Sequence, residues 1–112
     1  MNRKKLSSKT RQTNKADAFK QEVKRCAEKI HVAPQQIRIQ CMKNKWASCS
    51  TKGWLCFTED LLHQPRKFQE YVIVHELLHL QVPNHGKLFK SLLNAYVPDW
   101  EKILNSAPTR LH

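Results

Sequence analysis

Residues 71–80 read Tyr-Val-Ile-Val-His-Glu-Leu-Leu-His-Leu. No other stretch constrains the fold as strongly. It is the most apolar part of the chain, yet it holds three ionisable side chains. The pattern predicts a helix from about Arg66 to Gln81, with Pro65 at its first position and Pro83 stopping it. From Tyr71 onward this helix is apolar nearly all round, which places it in the middle of a core. Burying His75, Glu76 and His79 there without partners costs several kcal/mol. The fold must therefore supply those partners.

Two imidazoles at i and i+4 share one helix face and can share one ion. Glu76 lies one step round, where it reaches a water on the ion rather than the ion itself. This is the HExxH arrangement of zincins. Zinc takes two or three imidazoles plus water and lowers the water pKa toward about 7, and the Glu removes the proton. The structural alternative is two core histidines bonded to carbonyls, with the glutamate at the rim. The full pattern on so apolar a helix favours the metal.

A catalytic site needs a third ligand. His85 follows His79 by six residues, just past Val82-Pro83-Asn84. Asn84 tolerates left-handed dihedrals and is expected to turn the chain back. Asp99 or Glu101, in the last predicted helix, is the competing ligand. Short local spacing favours His85. The spacing equals that of metzincins, but Val82 stands where those have Gly, and no Met follows Met42.

The remaining pattern is mixed. Phe19, Val23, Cys26, Ala27 and Ile30 keep a helical period over roughly 15–30, with Asn14 and Asp17 placed as a capping pair. Ile37, Ile39 and Cys41 alternate as in a strand, and Trp54–Phe57 forms a second. Residues 43–52 read as a loop, or a loop with a short irregular strand. Thr58-Glu59-Asp60 signals a helical turn. Further helices are expected after His85 and from Pro98. Cys26, Cys41, Cys49 and Cys56 form no CxxC pair and are expected as reduced thiols, with Cys26, Cys41 and Cys56 as small core residues.

Lys45-Trp46-Ala47-Ser48-Cys49-Ser50, the helix just described, and Asn84-His85-Gly86-Lys87-Leu88-Phe89 together resemble the YgjP-like metallopeptidases. By this resemblance His75, His79 and His85 are the metal ligands, Glu76 is the general base, and the metal is one catalytic Zn2+. The family's usual Arg, Gly and Asn are here Lys45, Ala47 and Thr58. The resemblance implies an α+β fold. A minimal zincin-like domain is expected, with a small antiparallel sheet packed on helices around the central HExxH helix.

One domain fits the length of 112 residues. Its expected span is 15–106, between a basic, disordered tail over 1–14 and a C-terminal tail over 107–112. The formal charge is +11, and six of the 20 basic residues lie within residues 1–15, which hold no acid. Such a tail attracts phosphates, including those of nucleic acid, or stays solvated. No run is long enough to span a bilayer, and no apolar segment follows the basic start. A cytoplasmic monomer without membrane association is expected.

The leading function is a zinc-dependent metallopeptidase in which Glu76 activates a zinc-bound water. Lys45, Trp46, Ser48 and Thr58 are candidate substrate contacts, and Trp54–Thr58 is a candidate edge strand for aligning a peptide. Three alternatives remain. One is a zinc-dependent phosphate-anhydride or nucleotide hydrolase, with Arg38, Lys43, Lys45 and Lys52 offsetting phosphate charge. Another is a protease of the related SprT-like family, acting on proteins bound to DNA. The last is a DNA-binding module with structural zinc.

Overall fold

The computed structural model describes the backbone of residues 7–107 and the side chains of residues 15–107. Helix α1 (Ser7–Ile30) begins well before its apolar period does. It reaches into the stretch expected as a basic tail, and Asn14 lies within it rather than capping it. Residues 1–6 and 108–112 of the two expected tails lie outside the described residues. The apolar period is nonetheless what docks α1: Phe19, Val23, Cys26, Ala27 and Ile30 are all buried. The helix ends on His31, whose φ of 66° is left-handed, and the Val32 amide donates back to the Ala27 carbonyl at 3.0 Å.

Three strands follow: β1 (Gln36–Gln40), β2 (Ala47–Cys49) and β3 (Trp54–Thr58). Their order in the sheet is β1-β3-β2, so β3 is central. β2 and β3 are antiparallel, with Ala47 opposite Phe57 and Cys49 opposite Leu55. β1 and β3 are parallel, with Ile37 opposite Leu55 and Ile39 opposite Phe57. The sheet is therefore mixed, where an antiparallel one was expected. The chain reverses once into β2 and once out of it, so β1 and β3 share a direction, and β3 inserts between the other two. The turn from β2 into β3 needs Gly53, whose φ is +86° and where a Cβ would stand 3.1 Å from Gln35 Cγ.

A 3-10 turn over Glu59–His63 leads to α2 (Arg66–Leu78), the central helix. Every residue from Tyr71 to Leu78 is buried. The helix stops at Leu78 rather than Gln81. Its last amides tighten to i−3 bonds, Leu80 to Leu77 and Gln81 to Leu78. α3 (Lys87–Tyr96) and α4 (Trp100–Asn105) follow. α1, α3, α4 and β2 all pack against α2. The result is α+β, with helices around one buried helix and a small sheet on one side. Among the described residues no helix is long and apolar enough to cross a membrane.

Candidate metal centre

α2 delivers the first two histidines. His75 and Glu76 are 4% and 2% exposed, so both were taken out of water by folding. His79 caps the helix and is half-buried. His85 comes from the short connection between α2 and α3 and is exposed. Asn84 does not supply the expected left-handed residue for this reversal. Among described non-glycine residues only His31 has a positive φ. Loosening of the helix end, through the i−3 bonds after Leu78, does part of the turning instead.

The ligand atoms of His75, His79 and His85 all lie within 4.8 Å of one another. The Nε2 atoms of His79 and His85 stand 2.9 Å apart. Phe89, one turn into α3, packs under all three rings at centroid distances of 5.2, 4.8 and 4.8 Å. Burial, and then the neighbouring His75, push the pKa values of His79 and His85 below the ordinary imidazole value. The Val82 and Pro83 carbonyls and Glu76 oppose this at His79. Three imidazoles, two of them biased toward the neutral form, make a donor set suited to a divalent transition metal. Nitrogen ligands on a tetrahedral ion stand about 3.3 Å apart, between the 2.9 Å of the His79–His85 pair and the 4.8 Å that bounds the whole set. Neither Asp99, at the start of α4, nor Glu101, in its first turn, belongs to this cluster.

Glu76 Oε2 lies 3.3 Å from His75 Nδ1. The carboxylate and His79 also form part of the wall of a cleft of about 500 Å³. Its other walls are Lys45, Pro83 and the run Ala47–Thr51. Two sequence-predicted contacts, Lys45 and Ser48, are therefore in the cleft. The other two are not. Trp46 is 2% exposed and packs edge-on against Phe68 at 5.0 Å, inside the core. Thr58 is buried, donating from its hydroxyl to the Met42 carbonyl at 3.0 Å and accepting from the Met42 amide at 3.2 Å. It ties down the loop after β1.

The strand beside the cleft is β2, not the central β3 that was expected as an edge. The Thr58 amide donates to the Trp46 carbonyl and the Ser50 amide to the Trp54 carbonyl, so 46 and 50 are hydrogen-bonded positions. Alternation along an antiparallel ladder then turns the amides and carbonyls of Ala47 and Cys49 away from β3. Cys49 belongs to the cleft wall. Burial and the nearby Glu76 raise its thiol pKa. Cys41, expected in the core, is exposed. All four thiols are free.

The fold is similar to that in the crystal structure of the metallopeptidase zymogen of Pyrococcus abyssi abylysin. The two chains are 16% identical, with a TM-score of 0.69 over 84% of this chain and 99% of the other. At that identity the likeness shows the fold alone. No curated protein sequence matches the chain. The family model described as YgjP-like, metallopeptidase domain, matches residues 1–106, a span that takes in the central helix, the three histidines and the cleft. The chain belongs to the YgjP-like metallopeptidase family.

Proposed function

We propose that the protein is a zinc-dependent peptidase, with His75, His79 and His85 holding the ion and Glu76 acting as general base. The observation that carries this reading is a carboxylate only 2% exposed, set on the cleft wall beside the three-imidazole cluster. When bound, zinc supplies a Lewis acid for the scissile carbonyl and brings the pKa of water toward about 7. Glu76 accepts a proton from the attacking water and passes it to the leaving amine. Its fixed seat, next to His75 and on the same helix as two ligands, sets the distance over which that proton moves. Phe89 holds the imidazoles in register from below. The outward amide and carbonyl of Cys49, which is partly exposed on the cleft wall, offer an extended peptide main-chain partners.

Glu76→Gln tests this reading. The variant keeps the shape of the side chain and removes its basicity. Metal content and melting behaviour should be retained, while turnover of an unfolded protein substrate falls by about 10²–10⁴-fold. Retained turnover would sink the mechanism. Lys45 on the cleft wall favours one competing substrate, a phosphate anhydride. Offering nucleoside triphosphates and unfolded protein to the same preparation separates the two.

A further inference from the structure

The three-histidine cluster borders two recesses, not one. Glu76 and His79 face the cleft beside β2. His75 and His85 face a second recess of about 210 Å³. Its remaining walls are Tyr71 from α2, Phe89, Lys90 and Leu93 from α3, and Trp100 from α4. Tyr71, Phe89 and Leu93 are at most 2% exposed and form an apolar floor. Trp100 is half-exposed, and its ring stacks on Tyr71 at 6.5 Å with only 9° between planes. Phe89 meets His75 edge-on at 5.2 Å. These ring contacts fix the walls before anything binds. Lys90 is exposed and, among the described residues, is the only formally charged side chain lining the recess.

A volume of about 210 Å³ lies below the range that holds a whole drug-sized ligand. It suits one side chain. Anything bound to the cluster through a carbonyl oxygen carries its neighbouring substituents within reach of this recess, since His75 and His85 belong to both. We propose, resting on the peptidase reading above, that the recess receives the substrate side chain next to the scissile bond and selects large apolar or aromatic ones. Trp100 and Phe89 supply the surface, and Lys90 at the mouth repels lysine and arginine side chains.

Hydroxamates that bind the metal test the recess without turnover. Affinities of the zinc-loaded full chain are measured for acetohydroxamate, hydrocinnamohydroxamate and an amine-terminated hexanohydroxamate. The phenyl compound should bind on the order of tenfold tighter than acetohydroxamate, as burial of one apolar group in a half-open site requires. The amine should gain little. Trp100→Ala should reduce the phenyl advantage, and Lys90→Glu, at an exposed position, should raise affinity for the amine severalfold. Equal affinities across the series, unchanged in both variants, overturn the proposal. Cleavage of a peptide mixture is followed in parallel. Cleavage without side-chain preference removes the recess and keeps the peptidase. Phenyl preference without any cleavage keeps the recess and removes the peptidase.

Discussion

His79 and His85 both have pKa values lowered from 6.5, burial being the larger cause in each. Below about pH 6.5 the unfolded chain therefore takes up protons that the folded, metal-free chain resists. Stability from these groups is fully present above that pH and is lost as pH falls through the folded values. Thermal melts of the metal-free protein between about pH 7 and about pH 5 should show a falling Tm, and replacing both histidines by Asn should flatten the slope. An unchanged slope would remove these two groups as its source. The same bias keeps both rings ready to bind metal at mildly acidic pH, where ordinary histidines are half protonated. At this scale the sequence was most legible where the chemistry is local. His75, Glu76 and His79 are set by helical spacing, and His85 by lying only six positions after His79. Ala47, Cys49, Ser50 and Thr51 reach the same cleft only through pairing with β3, which no local pattern announces.

The helices were visible as elements because each carries its own apolar period, although their ends were not. α1 runs back to Ser7 with no apolar period to mark its start, and α2 stops three residues early where its amides turn to i−3 bonding. β2 was the hardest element to see. Three residues are too few to show alternation, and Ala-Ser-Cys is poor in the β-branched and aromatic residues that mark strands. Its neighbour Trp46 illustrates the cost. An aromatic side chain in a polar stretch reads as a substrate contact until the strand register turns it into the core against Phe68. Thr58 is the second such case, and it gives a clean test. Thr58→Val keeps the shape and removes both hydrogen bonds to Met42, leaving that amide and carbonyl short of partners. The variant should lose about 1–3 kcal/mol of stability in denaturant titration. Its KM should stay at the parent value, because Thr58 does not line the cleft; a rise in KM at unchanged stability would return Thr58 to the substrate site.

Over the whole molecule, the +11 charge first points toward nucleic acid. The proposed chemistry lies elsewhere, on a helix whose central residues are buried and nearly uncharged. That arrangement couples the metal to the fold. His75 sits on α2, His79 caps its C-terminal end, His85 sits on the connection to α3, and Phe89 carries the contact into α3 itself. An ion shared by these ligands ties together the elements that cover the core. The unfolded chain holds no such preformed site, so binding energy becomes folding energy. At free metal about a thousandfold above its Kd the folded state gains about 4 kcal/mol. For a domain of this size that corresponds to a rise in Tm on the order of 15 °C. A chelator should therefore lower the melting temperature by about that amount. Excess zinc should restore it, and His85→Ala should abolish most of the difference while leaving the metal-free Tm nearly unchanged, since His85 is exposed. A chelator shift that survives His85→Ala would place the ion elsewhere. The absence of any shift would leave the buried His75 and Glu76 to be stabilised by the protein alone.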